Sequence, residues 1–233
     1  MKNYSKYPKY LVAVDCIIFG YDIQKKILKL LLVKRSFEPA KGSWSLAGGF
    51  VKEKESLDEA ASRILRKLTG ISNVYMTQSL TYGDTDRDPG ARVISTAYYA
   101  LTGISAIDYE LVKDNGAHWR SVDDLPKLIF DHPRMVKKAL ADLQNLVKVK
   151  PVGFELLPEK FTLVQLQELY EAIYQKRIDK RNFRKKILSM GILEKLEEKE
   201  KETSKKGAWY YMFNEERYLK LDRNGFSFNL DVS

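Results

Sequence analysis

Two stretches of this chain carry residues whose types and spacing could do chemistry. The first is Lys176–Lys186, KRIDKRNFRKK, with seven bases and one acid. Cations at this density neutralise phosphates, and an arginine or asparagine held at a helix start can pair with base edges in a groove. The second is residues 49–71, GFVKEKESLDEAASRILRKLTGI. Glu53, Glu55 and Glu59 offer the oxygen ligands that a hard divalent cation takes. Such a metal would activate water and neutralise negative charge developing in a reaction. The carboxylates then stop, and Ile64, Lys67 and Leu68 follow. Arg63 and Lys67 are four apart and share a helix face, and a protonated lysine has donors only. Ile64 and Leu68, one turn apart, suit burial. Each stretch also has a plain alternative: an amphipathic helix after a Gly-Gly turn, and a solvated basic face on a helical hairpin.

The elements that must position these residues follow from the pattern around them. Ser56 with Glu59 is a capping-box start and Gly70 a helix stop, which predicts a helix over 57–69. Apolar runs at Leu11–Phe19 and Ile27–Val33 read as strands before it, and Val74–Leu80 and Val93–Leu101 as strands after it. A second long helix is expected at Asp131–Val147. Near Val147–Gly153, with Pro151 and Gly153, the character changes and reads as a linker. This divides the chain into residues 1–150 and 151–233. In the second part, Thr162 with Gln165 opens a helix, and Leu166, Leu169, Tyr170 and Ile173 form its apolar stripe. Residues 175–179 turn, and Asp179 caps a second helix whose buried side is expected to be Phe183, Ile187 and Leu188. Gly191 ends it. Ile192–Glu197 and Ala208–Phe213 read as two strands joined by a charged link ending in Lys205-Lys206-Gly207. A basic helix followed by a hairpin with a basic loop is a winged helix-turn-helix arrangement. Phe154–Phe161 is too short for the helix that should precede it, so Asp131–Val147 is the candidate to pack there.

In that arrangement the second helix enters a major groove with its N-terminal residues at the base edges. Arg181 and Asn182, then Arg184, are the candidates to read bases. Lys180, Lys185, Lys205 and Lys206 are the candidates to hold phosphates, which fix position without reading sequence.

The composition excludes several classes. The chain of 233 residues is 44% hydrophobic with a net charge of +9, so it can bury a core and is not of disordered type. Bases exceed acids by seven over residues 1–150 and by two over 151–233, so the second part is not uniformly basic. No run is long and apolar enough to span a bilayer. The start, MKNYSKYPKY, lacks the apolar core of a signal peptide, and one cysteine, Cys16, allows no intrachain disulfide. A cytoplasmic location is expected. Cys16 reads as a small buried hydrophobe. His118 and His132 have no metal-like spacing, and His132 before Pro133 belongs to a helix start. No metal, cofactor or catalytic group is assigned.

Residues 49–71 resemble the Nudix box, G-x5-E-x7-R-E-U-x-E-E-x-G-U with U a bulky apolar residue. Gly49, Glu55, Arg63, Leu65, Gly70 and Ile71 match it, whereas Ile64, Lys67 and Leu68 replace its glutamates. The preceding Trp44–Gly49, WSLAGG, resembles the Nudix W-x-L-P-G-G approach, with Ala47 for proline. A degenerate Nudix domain followed by a winged helix is similar to the Nudix-related transcriptional regulators of bacteria. Residues 86–99, Leu128–Pro133 and Phe161–Leu188 carry the same resemblance. It implies a Nudix-type α/β/α sandwich with a winged helix-turn-helix domain, a homodimer, operator DNA as partner, and an effector bound in the Nudix domain. Within the family the chain looks most like the sugar-responsive branch typified by arabinose-responsive repressors. Another branch senses ADP-ribose-type metabolites and controls NAD biosynthesis.

The resemblance places the effector among Lys34, Arg35, Glu38 and Trp44 on one wall and Arg87, Asp88 and Arg92 on the other. Asp86–Gly90 can equally be a loop with internal ion pairs. The leading expectation is a repressor that releases operator DNA when it binds a pentose such as arabinose. The alternatives are an active hydrolase of ADP-ribose-type substrates with an atypical site at Glu53, Glu55 or Glu59, an ADP-ribose-sensing regulator, and a nucleic-acid-binding scaffold whose first domain only dimerises.

Overall fold

The computed structural model describes residues 4–72, 74–104, 106–201, 207–225 and 228–230. By their contacts these form two compact units. The first takes residues 1–20, 29–100 and 105–139, and the second takes 21–28, 101–104 and 140–233.

The first half of the chain builds one seven-stranded sheet. Its strands are β1 (Leu11–Asp22), β2 (Ile27–Lys34), β3 (Trp44–Ser45), β4 (Ala47–Phe50), β5 (Thr77–Tyr82), β6 (Val93–Gly103) and β7 (Ala117–Ser121). The order is β3-β2-β1-β6-β5, with β4 paired to β1 and β7 to β2. The apolar run of β1, interrupted by Asp15, is explained by its central place: it is buried on both faces from Ala13 onward. At the sheet's end, β5 exposes most of its side chains. Helix α1 (Leu57–Thr69) carries both halves of the expected capping box, and Gly70 closes it in the left-handed region at φ 75°. Its stripe of Ala60, Ala61, Ile64 and Leu65 is buried and faces β4. Burying Ile64 and Leu65 stabilises the unit by about 1.5–3 kcal/mol each. Helix α2 (Ala106–Asp114), which the sequence pattern did not single out, packs on β7. Helix α3 (His132–Val149) starts at His132 as expected.

The second unit holds the winged helix. Strand β8 (Phe161–Thr162) leads into α4 (Leu163–Tyr174) through the Thr162–Gln165 capping box. After Gln175 in the left-handed region, Asp179 caps α5 (Lys180–Ser189). The hairpin β9 (Leu193–Glu200) and β10 (Ala208–Phe213) pairs antiparallel, and β8 joins it in the order β8-β10-β9. A last helix, α6 (Glu215–Arg223), was not expected; Asn214 caps it. The helix missing ahead of α4 is supplied by the end of α3, where Gln144 Nε2 donates to Ile173 O at 3.0 Å. Leu230 N also donates to Lys148 O at 2.9 Å. One correction concerns α5: Phe183 and Ile187 are fully buried, but Leu188 is 42% exposed. The stripe is completed past the helix end by Met190 and Ile192 instead. Among the described residues no helix is long and apolar enough to cross a membrane.

Candidate functional site

The acidic stretch folds into its own partners. Arg63 donates from Nε to Glu55 Oε2 at 2.8 Å, and a second, closer contact joins Nη2 to Glu55 Oε1. Nη2 also donates to Phe50 O at 3.0 Å. Glu55 accepts from Lys52 N at 2.7 Å as well. The Arg63 guanidinium, more than any other neighbour, holds the Glu55 carboxyl down at about 2. Arg63 thus turns to Glu55 rather than toward Lys67. Glu59 closes the helix cap on Ser56 N at 2.7 Å, and Asp58 accepts from Tyr98 OH at 2.6 Å. Glu53 is exposed. Ile64 is buried as expected, whereas Leu68 is only half-buried and Lys67 is exposed. A Cβ at Gly49 would lie 3.0 Å from Ile64 Cδ1, so the glycine lets the helix approach β4. Among the described residues no group of three His, Cys, Asp or Glu side chains is placed to hold a metal ion.

Behind the helix lies a buried polar cluster. Asp15 accepts from Ser95 Oγ at 2.6 Å. Arg87 donates twice to Asp131, at 2.9 and 2.8 Å, and stands 3.7 Å from Asp15. His132 Nδ1 accepts from Leu46 N at 3.2 Å, which puts a neutral ring's proton on Nε2, 3.7 Å from Asp15. Burial pushes His132 below the usual histidine range, consistent with that neutral form. At Gly48 a Cβ would come 2.1 Å from Asp15 Oδ1. The cluster therefore ties β1, the Trp44–Gly49 approach, the 84–92 loop and the start of α3 to one another. Arg87, expected in the ligand wall, has a side chain only 3% exposed. Its charge is spent in this support. Asp15 and Ser95 were not singled out, and Asp131 and His132 were read only as the start of a helix. The one signal for Asp15 was an acid inside an otherwise apolar strand.

The other proposed wall residues lie on a more open surface. Lys34 Nζ sits 4.0 Å from the Trp44 ring centroid and the Arg120 guanidinium 4.7 Å from it. His118 meets that ring edge-on. Neither Lys34 nor Arg120 makes an ion pair among the described residues, so the patch is electropositive. Burial, then Arg120 and Lys34, lowers the His118 pKa. Arg35 lies between the Phe37 and Phe130 rings and donates to Phe37 O at 3.1 Å. Glu38 accepts from Lys41 N. Asp88 turns back to Gly90 N at 2.8 Å, and a Cβ at Gly90 would be 3.1 Å from Pro39. The two expected walls thus meet at Pro39 and Gly90. Arg92 donates to Asp84 O at 3.1 Å and covers Tyr10.

The winged helix presents its charges outward. Lys180, Arg181, Asn182, Arg184 and Lys185 are all exposed. None makes an ion pair among the described residues. The turn that aims them is locked by Glu171, which sequence reasoning missed. It accepts from Ile178 N, Gln167 Nε2 and Arg177 Nη1, each at 3.0 Å. On the hairpin, Lys195 and Lys199 lie 4.0 and 4.3 Å from the Trp209 ring. Lys205 and Lys206 fall outside the described residues. An exposed cationic helix beside a cation-bearing hairpin can neutralise phosphates while the helix start reaches base edges.

Comparison with known proteins agrees with this geometry. Residues 9–140 match the NUDIX domain and residues 153–213 match the NrtR DNA-binding winged helix domain. The ADPR responsive transcriptional repressor NtrR of Acinetobacter baylyi is 32% identical over 213 residues, 90% of this chain and 84% of the relative. The ADP-ribose pyrophosphatase of Methanocaldococcus jannaschii is 35% identical over 140 residues, 59% of this chain and 77% of that protein. Shewanella oneidensis NrtR complexed with a 27mer DNA superimposes with a TM-score of 0.71 at 28% identity, covering 94% of this chain and 99% of that one. Its NUDIX domain complexed with ADP ribose gives 0.52 at 32% identity, covering 60% of this chain and 93% of that one. The expected kinship with arabinose-responsive repressors finds no support among these relatives, whose names carry ADP-ribose where they name a ligand.

Proposed function

The chain belongs to the Nudix family and, with its winged helix, to the NrtR-type transcriptional regulators, and on that premise we propose that it is a repressor that releases operator DNA when ADP-ribose binds its Nudix domain. The observation that carries this reading is the kinship with an ADP-ribose-responsive repressor across both domains, 90% of this chain. The ADP-ribose reading replaces the pentose one. The electropositive patch of Lys34, Arg120 and Trp44 suits it: cations for a diphosphate and an aromatic face for a base.

The Nudix domain acts here as a sensor without hydrolysis. Glu55 is held by Arg63 and Glu59 by the helix cap. Ile64, Lys67 and Leu68 supply no carboxylate. The hydrolase reading has one observation in its favour, the kinship with an ADP-ribose pyrophosphatase, and the same assay separates the two. The regulator works as a homodimer, so its operator is a pseudopalindrome whose half-sites lie whole helical turns apart.

The test is fluorescence anisotropy of labelled duplex DNA selected for binding to the protein, titrated with ADP-ribose or arabinose, with the nucleotide recovered and analysed. Release by ADP-ribose alone, with the nucleotide intact, is expected. Turnover with Mg²⁺ that Glu55→Gln abolishes would establish the hydrolase, and release by arabinose would restore the sugar reading.

A further inference from the structure

The compact unit that holds the winged helix also takes in residues 21–28, the turn that joins β1 to β2. Lys26 stands there in the left-handed region at φ 58°, its N–H donating to Asp22 O at 2.7 Å. Its ammonium reaches Glu168 of α4 at 2.7 Å, with the lysine side chain 55% exposed. Lys26, Lys180 and Arg184 line one cleft of about 520 Å³, together with Gln165, Glu168 and Trp209. Above Trp209 stand Lys195 and Lys199. Cations from two separate pieces of chain, the turn and α5, therefore line one concave face, and the hairpin holds two more over the Trp209 ring that borders it. Two carboxylates, Glu168 and Glu200, belong to it as well.

A half-exposed ion pair adds little stability, so Lys26–Glu168 is better understood by where it puts the ammonium. A lysine ammonium has three donors. Glu168 accepts one, and the exposed head has others to give. Duplex DNA carries phosphates in a long, closely spaced row, which an extended cationic face fits better than a single small anion does. We propose that Lys26, in the strand turn outside the winged helix, is a DNA-backbone contact, steered into the cleft by Glu168. This rests on the reading of α5 as the helix that faces DNA. A duplex seated on α5 and the hairpin then lays a phosphate within reach of Lys26, and the DNA surface extends past residues 153–213.

The experiment measures binding of the full chain to a labelled random-sequence duplex across a salt series, for Lys26→Ala, Lys26→Arg, Glu168→Gln and Arg184→Ala. Lys26→Ala should weaken binding several-fold and lower the slope of log affinity against log salt by about one. Lys26→Arg should keep both, and Glu168→Gln should bind at least as tightly as the parent. A parental slope in Lys26→Ala, with a reduced slope in Arg184→Ala, would overturn the Lys26 contact and leave the α5 reading standing. Parental slopes in both would overturn the two together. Equal losses in Lys26→Ala and Lys26→Arg would mean that the residue shapes the turn and does not touch phosphate.

Discussion

Helices α1 and α5 begin alike and end in different uses. Each has an acid or hydroxyl cap and a charged first half. In the first two turns of α1 the charges are consumed internally, Asp58 by Tyr98, Glu59 by the cap and Arg63 by Glu55, and only Arg66 and Lys67 of the last turn stay exposed. In α5 the five polar side chains from Lys180 to Lys185 stay exposed, and none is ion-paired among the described residues. A helix whose charges already have partners maintains a fold. One whose charges have none is built for a partner outside the chain. The difference explains how a Nudix box can lose its glutamates and still be legible: Gly49, Glu55, Arg63 and Gly70 serve the packing and capping of α1.

Perturbing α5 from its buried side should have the largest effect. Phe183→Ala should cost about 3–5 kcal/mol of stability, read as a shifted urea midpoint of the winged-helix transition, because Phe183 is fully buried. A parental midpoint would show that the exposed face is not anchored there. On the outward side, Arg181→Ala should cost about 1–3 kcal/mol against selected DNA with stability unchanged, checked by anisotropy and thermal melting. If specific and random duplexes weaken equally, Arg181 holds phosphate and reads no base.

Perturbing α1 should be felt in stability and not in DNA. The Glu55 carboxyl lies near 2, below its ordinary 4.5. Its contribution is therefore full above the ordinary carboxylate range and is lost as pH falls through about 2. Glu55→Gln should lower the urea midpoint at neutral pH, and the gap to the parent should close between those limits. A gap that persists at the acid end would place the stabilisation elsewhere. The smallest effect is expected at Leu188→Lys: on an exposed site it should stay within about 0.5 kcal/mol, and a larger loss by the same urea measurement would return Leu188 to the core.

Much of this contrast was legible in the sequence because it rests on local rules. Capping boxes at Ser56 and Thr162, the stop at Gly70 and the turn before Asp179 are short-range chemistry, and each formed where the residues put it. The exposure of Lys180, Arg181, Arg184 and Lys185 followed from helical spacing. What was not legible depends on distant partners. Arg87 reads as a ligand contact until Asp131, 44 residues on, comes to its side. Asp15 and His132 join through the fold alone. Leu188 looked buried because the stripe was continued along the helix, whereas the chain turns at Gly191 and fills the core with Ile192. Helix α2 has a weak apolar period, and α6 buries none of its side chains, so neither left a strong pattern. The choice between a sugar and a nucleotide was beyond residue types, since Lys34, Glu38 and Trp44 suit either.

If the proposed function holds, the Nudix unit and the DNA face exchange free energy through a ligand. By linkage, the factor by which ADP-ribose weakens DNA binding must equal the factor by which DNA weakens ADP-ribose binding. The direct measurement is calorimetric titration of ADP-ribose into the free protein and into its complex with selected duplex DNA. Weaker binding to the complex is expected, by the same factor that anisotropy gives for DNA release. Equal ADP-ribose affinity in the two states, or no binding to the free protein, would contradict the proposed function.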